Sequence, residues 1–187
     1  MEKIALKVPG AFRIRLDIHR DNRGFFTRTY DKEFFAPQGL PVDWIQESHS
    51  FSAQKGTVRG LHFQRPPYAE TKLVRIAHGK AFMAFVDLRK GAPTFGSWDG
   101  VTLVASDPEL LYVPKGLALG MCTMTPDCSL LYKMDTAYHP QSAGTINWAD
   151  RDLGIPWPLE GAPIISDKDV GAMSFSEFVV KEKGLEC

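Results

Sequence analysis

A single histidine within an apolar stretch is the residue of this chain best suited to acid–base chemistry. His62 lies in the segment Arg59-Gly60-Leu61-His62-Phe63-Gln64. If this segment is a strand, alternation directs His62 to one face and its apolar neighbours Leu61 and Phe63 to the other. An ordinary imidazole titrates at about pH 6.5, which suits a general base at neutral pH. A core histidine that only packs and forms hydrogen bonds fits the same pattern, so the residues alone leave both interpretations open.

The elements that must position this histidine are predicted to be mainly β-strands. Turn signals such as Asp21-Asn22-Arg23-Gly24 and Pro114-Lys115-Gly116 separate short apolar or alternating runs, and helix signals are confined to Asp31–Phe35 and the C-terminal region. This pattern is typical of an antiparallel sandwich or barrel, which can enclose one small ligand, so we expect the site inside it. The runs predicted as strands are Phe12–Leu16, Lys72–Ile76, Ala81–Leu88, Gly100–Val104, Leu110–Val113 and Ser129–Met134.

Composition restricts the class of protein further. The 187 residues, 44% of them hydrophobic, suffice for one sizeable core, so we expect a single domain over residues 1–187. Twenty-two basic residues balance twenty-two acidic ones, which disfavours binding to nucleic acid or an anionic membrane. No segment approaches the roughly 20 apolar residues that span a bilayer, and we expect a cytoplasmic protein. Cys122, Cys128 and Cys187 lack a close Cys-x-x-Cys pair and are predicted to be free thiols.

Nearly the whole chain, from Arg23-Gly24-Phe25-Phe26 to Asp167-Lys168-Asp169, resembles the dTDP-4-dehydrorhamnose 3,5-epimerase family. The resemblance implies a cupin or jelly-roll β-barrel with a few short helices. It implies an epimerase that removes a proton next to the C4 ketone of a nucleotide-diphosphate-linked 4-keto-6-deoxyhexose, with inversion at C3, C5 or both. Such a reaction needs no cofactor. The resemblance also implies a homodimer in which the N-terminal strand region, near Phe26 and Arg28, crosses to complete the partner's site.

The resemblance gives four residues catalytic roles. His62 matches the family's base, Asp169 the carboxylate on its other ring nitrogen, and Tyr132 the acid that reprotonates the opposite face. Lys72 matches the lysine near the ketone, where a cation stabilises the enolate. A tyrosine in a strand is more often a packing residue and a lysine more often a surface residue, but the resemblance favours the functional roles. Metal cupins usually carry a second histidine two residues after the first; this chain has Gln64 there, so we expect no metal.

Five further positions match the family's contacts to the nucleotide. Arg23 and Arg59 match its pair of diphosphate-binding arginines, and Lys168 matches a further basic contact. Tyr138 matches a tyrosine that stacks on the nucleobase, and Gln46 a glutamine that forms hydrogen bonds nearby. We therefore expect a nucleoside diphosphate sugar as the substrate class.

Other positions depart from the family pattern. Arg28 stands where a glutamate is usual and Ser48 where an asparagine is usual, so a change of base from thymine to cytosine is conceivable. An Arg28 side chain that points to solvent or to a phosphate, with no change of base, explains the substitution equally well. At the sugar end, Leu119 replaces a histidine, Met83 an aspartate and Ala143 a glutamate, which predicts an apolar floor suited to a sugar with fewer hydroxyls. Two alternatives therefore remain: a CDP-3,6-dideoxy-4-hexulose 5-epimerase, and a cupin that binds a nucleotide sugar without turnover.

Overall fold

The structure is a computed structural model that describes all residues 1–187. Thirteen strands and three short α-helices make up the chain, with a 3₁₀ turn at Ala36–Gln38 after the first helix. None of the helices is long and apolar enough to cross a membrane. The strands are β1 (Glu2–Ala5), β2 (Phe12–Arg15), β3 (Ile18–Asp21), β4 (Gly24–Thr27), β5 (Gln46–Ser52), β6 (Val58–Gln64), β7 (Lys72–His78), β8 (Lys80–Asp87), β9 (Trp98–Val104), β10 (Glu109–Val113), β11 (Leu117–Thr123), β12 (Cys128–Met134) and β13 (Ala143–Thr145). The helices are α1 (Lys32–Phe35), α2 (Asp167–Val170) and α3 (Phe175–Glu182).

Two antiparallel sheets form the barrel. The first sheet has the strand order β1-β2-β10-β7-β12-β5, and the second has the order β13-β6-β11-β8-β9. Strands β3 and β4 form a separate hairpin. A cluster of sixteen buried residues draws on both sheets, for example Val74 and Leu111 from the first and Met83 and Leu119 from the second, so the main core lies between them. This is the mainly β, jelly-roll architecture expected from the sequence, and all six predicted strands are confirmed.

The outer face of each sheet is covered by a second layer. Leu61 and Phe63 of β6 pack with Phe178 of α3 in a buried cluster of eleven residues on the second sheet. Phe12 and its neighbours on the first sheet pack with Phe35 of α1. Hydrophobic residues on both faces of the sheets are therefore buried, with the main core between the sheets and the helical segments packed on the outside.

The three cysteines are free, as the sequence predicts. Cys122 and Cys128 are buried, and Cys187 is exposed at the C-terminus. Burial raises the pKa of the Cys122 thiol to about 11, so this group stays protonated at neutral pH.

Replacement of Phe178 with alanine is expected to lower the free energy of unfolding by about 3–5 kcal/mol, because it empties a fully buried position. The Phe178 ring lies 5.6 Å from the Phe63 ring, centroid to centroid, in an edge-to-face contact that would also be lost. Denaturant unfolding measures the change. The matched control is Val180→Ala on the same helix, where the side chain is 79% exposed and the expected change is within about 0.5 kcal/mol. Equal losses in the two variants would contradict the packing of α3 described above.

Candidate active site

A cavity of about 220 Å³ opens between the two sheets. The first sheet contributes Lys72 from β7 and Tyr132 from β12, and the second contributes His62 from β6. Ionisable side chains of the two sheets therefore face one cavity. The lining residues are Ser50, Arg59, His62, Phe63, Gln64, Glu70, Lys72, Met83, Leu119, Gly120, Met121, Leu130, Tyr132, Met134, Tyr138, Ala143, Gly144 and Lys168.

His62 is held by a carboxylate on one of its ring nitrogens. Its side chain lines the cavity while Leu61 and Phe63 pack in the outer cluster, as strand alternation predicts. The Nε2 atom lies 2.7 Å from Oδ1 of Asp169. With Asp169 ionised, Nε2 carries the hydrogen and donates it, so Nδ1 is the unprotonated nitrogen of the neutral ring. The imidazole is 42% exposed, enough for a ligand in the cavity to reach it.

Asp169 is a buried anion in the short helix α2. Ser166 caps this helix by accepting from the Asp169 backbone N–H, and the backbone N–H of Gly60 donates to Asp169 Oδ2 at 3.3 Å. Burial, which leaves the carboxyl side chain only 4% exposed, raises the pKa of Asp169. The hydrogen bond and charge of His62, with the donors Gly60 and Ser166, outweigh burial, so the pKa lies below its usual 3.8. Asp169 is therefore an ionised carboxylate behind His62 at neutral pH.

Gly60 allows this arrangement because the backbone of β6 approaches β11 closely. Its φ is +101°, a conformation that favours glycine, and a Cβ there would lie 2.6 Å from the carbonyl oxygen of Leu119. The pairing of β6 with β11 shifts register between Leu119 and Met121 at the same point. A larger residue at position 60 would separate the strands and move the Asp169 hydrogen-bond donor.

The lowered pKa of Asp169 predicts how the stability of the protein depends on pH. A carboxyl group whose pKa is lower in the folded chain stabilises the fold above its unfolded pKa, and this contribution is lost as the pH falls through the folded pKa. Asp169→Asn removes the titrating group. We therefore expect the difference in unfolding free energy between the parent and Asp169→Asn to be largest above about pH 4 and to shrink on further acidification.

Urea unfolding at a series of pH values between neutral and acid measures this difference. The control is Asp167→Asn in the same helix, at an exposed position, which is expected to follow the parent curve. A constant difference between parent and Asp169→Asn at every pH would contradict the lowered pKa.

Lys72 is paired with a glutamate that sequence reasoning missed. Its Nζ lies 2.6 Å from Oε1 of Glu70, and both side chains are nearly buried. Gln64 donates to the other Glu70 oxygen at 2.9 Å, and its own carbonyl accepts from the backbone N–H of His139 at 2.6 Å. The spacing of Glu70 and Lys72, two residues apart, is the signal that could have identified the pair, since such residues share a face of an extended segment.

Cationic and aromatic groups also line the cavity. Arg59, Lys168 and Tyr138 all contribute to its lining, as the resemblance leads one to expect of nucleotide contacts. Gln46 does not line the cavity, but its side-chain oxygen accepts from the Tyr138 backbone N–H at 2.6 Å and fixes that segment. Ser48, two residues further along β5, is half-buried and also lies outside the lining.

Three further predicted binding residues, in addition to Gln46 and Ser48, are not brought to this cavity within one chain. Arg23, Phe26 and Arg28 lie on or beside the β3–β4 hairpin, and none of them is among the lining residues. Phe26 is 67% exposed, and Arg28 forms an ion pair with Asp31 at 2.8 Å. Their roles in substrate binding stay predictions that depend on a second copy of the chain.

A jelly-roll barrel with a histidine–carboxylate pair, a tyrosine and a lysine on facing walls is typical of the cupin-fold isomerases that epimerise nucleotide sugars. Comparison with known proteins agrees with this class. The sequence profile of the family described as dTDP-4-dehydrorhamnose 3,5-epimerase matches residues 5–177. The chain belongs to that family, and the resemblance found in its sequence is confirmed.

Individual relatives cover almost the entire chain. A dTDP-4-dehydrorhamnose 3,5-epimerase of Salmonella typhimurium is 39% identical over 180 residues, 96% of this chain and 98% of the relative. The dTDP-6-deoxy-D-glucose-3,5-epimerase of Legionella pneumophila, solved with dTDP-4-keto-L-rhamnose, is 33% identical with a TM-score of 0.91. The alignment covers 99% of this chain and 97% of the Legionella chain. ChmJ, a 3'-monoepimerase of Streptomyces bikiniensis solved with dTDP-quinovose, is 30% identical with a TM-score of 0.88. The alignment covers 94% of this chain and 88% of the ChmJ chain.

Proposed function

We propose that the protein epimerises a dTDP-linked 4-keto-6-deoxyhexose at C3, C5 or both, with His62 as the base and Tyr132 as the acid. The observation that carries the proposal is that these two side chains come from facing sheets and line one cavity. An epimerase needs a proton acceptor on one face of a carbon and a proton donor on the other. The dTDP sugars in the Legionella and Streptomyces structures support the choice of nucleotide.

The first step is removal of a proton from a carbon next to the C4 ketone. The C–H bond breaks, its proton passes to His62 Nδ1, and its electron pair forms an enolate whose charge lies on the C4 oxygen. Asp169, ionised and 2.7 Å from Nε2, fixes the tautomer that leaves Nδ1 free and stabilises the imidazolium that forms. Asp169 is in this account a positioning residue, because it acts through His62.

The second step returns a proton to the opposite face. The Tyr132 hydroxyl donates it, the enolate pair forms the new C–H bond, and the C4 ketone is restored. Lys72 stabilises the enolate oxygen as a cation whose side chain is nearly buried, where such an interaction is stronger than in water. The ion pair with Glu70 keeps the ammonium group in place. No electrons are gained or lost, so the reaction needs no cofactor.

The diphosphate and the base are proposed to lie along the cationic and aromatic groups that line the cavity. Arg59 and Lys168 supply positive charge for the phosphate oxygens, and the guanidinium of Arg59 is oriented by a bond to the Phe51 carbonyl oxygen at 3.0 Å. Tyr138, which is half-exposed, offers a ring for the nucleobase. Its backbone is fixed by Gln46, so this glutamine supports the base site indirectly.

The active form is proposed to be a homodimer in which the β3–β4 hairpin completes the site of the partner. The hairpin lies outside both core sheets and exposes Phe25 and Phe26, which supports a contact with another chain. Arg23 and Arg28 on the same segment would then add charge near the bound diphosphate.

Mixing two inactive variants tests this exchange of hairpins. His62→Asn and Arg23→Ala/Phe26→Ala should each be nearly inactive alone. After unfolding and refolding together, a heterodimer has one site with both an intact His62 and an intact hairpin. We expect about a quarter of the parental activity to return, because half of the dimers are mixed and each has one intact site. No recovery, although mixed dimers form, would contradict a hairpin that serves the partner's site.

The proposed function is tested by NMR of the protein with dTDP- and CDP-linked 4-keto-6-deoxyhexoses. We expect a change of configuration at C3, C5 or both, and faster turnover of the dTDP sugar. Faster turnover of the CDP sugar would contradict the proposed nucleotide but not the reaction. Binding of both sugars with no turnover of either would contradict the proposed reaction and indicate a nucleotide-sugar-binding protein.

A further inference from the structure

Three apolar side chains form one wall of the cavity, which we name the apolar floor: Met83, Leu119 and Met121. They lie on the neighbouring strands β8 and β11 of the second sheet, where Met83 and Met121 are direct cross-strand partners. All three are buried in the main core and line the cavity as well. Leu119, 9% exposed, is the member most accessible from the cavity, and Met83 and Met121, 1% and 2% exposed, pack directly behind it.

The apolar floor is adjacent to the proposed base. Leu119 is the cross-strand partner of His62 in the pairing of β11 with β6. Directly opposite residues on one face of a sheet have Cβ atoms about 4.5–5.5 Å apart. A substituent on the carbon that His62 deprotonates, or on a ring carbon near it, would therefore lie against Leu119.

Two polar side chains that line the cavity, Glu70 and Gln64, already form hydrogen bonds within the chain. Both oxygens of Glu70 are used, one by Lys72 and one by Gln64. The Gln64 amide also donates to the Tyr68 carbonyl oxygen, and its own oxygen accepts from the His139 N–H. The side chains of Met83, Leu119 and Met121 offer no strong hydrogen-bond donor or acceptor, so a sugar hydroxyl directed at them would lose its water without gaining a partner, which is unfavourable.

We propose that the apolar floor selects a 4-keto-6-deoxy sugar that lacks a hydroxyl at C3, so that the natural reaction is inversion at C5. This inference rests on the proposed function. Two carbons flank the C4 ketone: C5 bears the apolar methyl group of a 6-deoxy sugar, whereas C3 bears a hydroxyl in the ordinary sugar. A methyl group suits a floor of Met83, Leu119 and Met121, and a hydroxyl does not. When C3 is a methylene it is not a stereocentre, and C5 is the remaining carbon next to the ketone that can be inverted.

A pair of substrates that differ only at C3 tests the inference. The protein is given a dTDP-linked 4-keto-6-deoxyhexose and its 3-deoxy counterpart, and kcat/KM is measured for each by NMR. We expect the 3-deoxy sugar to be favoured by about 10- to 100-fold, the discrimination that an apolar pocket achieves against an added hydroxyl. Equal values, or a preference for the 3-hydroxy sugar, would overturn the inference while the proposed function stands. Failure to epimerise either sugar would overturn both.

Two variants of Leu119 separate polarity from shape. Leu119→Asn supplies a donor and an acceptor at similar volume, and should reduce the preference for the 3-deoxy sugar by about tenfold, as expected when a hydroxyl gains a partner. Leu119→Met preserves an apolar side chain of similar volume and should keep the parental ratio, whatever its absolute rate. If both variants change the ratio equally, the selection does not depend on polarity and the inference fails. The comparison of the two sugars with the parent protein stands even where a variant folds poorly.

Discussion

The protein in which His62 is replaced by asparagine is expected to epimerise its substrate about 10²- to 10⁴-fold more slowly than the parent. This is the usual contribution of a general base, and the mutation removes the nitrogen proposed to accept the substrate proton. Asparagine at this position can still bond with Asp169, so the environment of the carboxylate is preserved better than with alanine. The rate is measured by NMR of the sugar, and binding of dTDP is measured separately by calorimetry.

A matched control is His49→Asn. His49 is an exposed histidine on β5 that does not line the cavity, and its replacement should leave both rate and binding unchanged. The result that would contradict the role of His62 is a rate within tenfold of the parent with normal dTDP affinity. A loss of dTDP binding equal to the loss of rate would indicate a binding role.

Tyr132→Phe should abolish inversion while proton removal continues. The substitution deletes one hydroxyl and keeps the ring, so the cavity retains its shape and His62 its position. The base can still take the proton, exchange it with solvent and return it to the same face. In D₂O we therefore expect deuterium to enter the sugar with retained configuration, while inversion falls by about 10²- to 10⁴-fold.

The control for this substitution is Tyr30→Phe. The Tyr30 hydroxyl bonds to the Val42 carbonyl oxygen at 2.8 Å, outside the cavity, so its loss should not affect inversion. If Tyr132→Phe loses exchange and inversion to the same extent, the tyrosine does not act after proton removal. If inversion persists, another group is the acid.

The strands that could be predicted from the sequence are those with a clear apolar pattern. Runs such as Ala81–Leu88 are bounded by turn residues and form β8 nearly as expected. The strand β5, with the sequence QESHSFS, was missed because it is an edge strand with mostly exposed polar residues. The strand β11 was missed because every residue is buried and its leucine, alanine and glycine residues do not alternate. In β5 the burial alternates, but the more buried residues Ser48, Ser50 and Ser52 are polar and give no apolar pattern, whereas in β11 both faces of the strand are buried.

The site could be predicted only in part. The alternation around His62 follows from local sequence, but its contact with Asp169 joins residues 107 positions apart and came from the family resemblance. The resemblance also identified Lys72, yet it did not reveal Glu70, whose ion pair with Lys72 is seen only in the structure. The role of the β3–β4 hairpin and its Phe26 in substrate binding stays a prediction, because the expected contacts are with another chain.

The central claim is that this cavity removes and returns a proton next to a ketone. Its most direct test is deuterium incorporation from D₂O into the C3 and C5 positions of dTDP-linked 4-keto-6-deoxyhexoses with and without the C3 hydroxyl, in parallel with the His62→Asn protein. We expect rapid incorporation at an inverted carbon with the parent protein and little with the variant. Bound sugar that acquires no deuterium at either carbon, in a correctly folded parent protein, would contradict it.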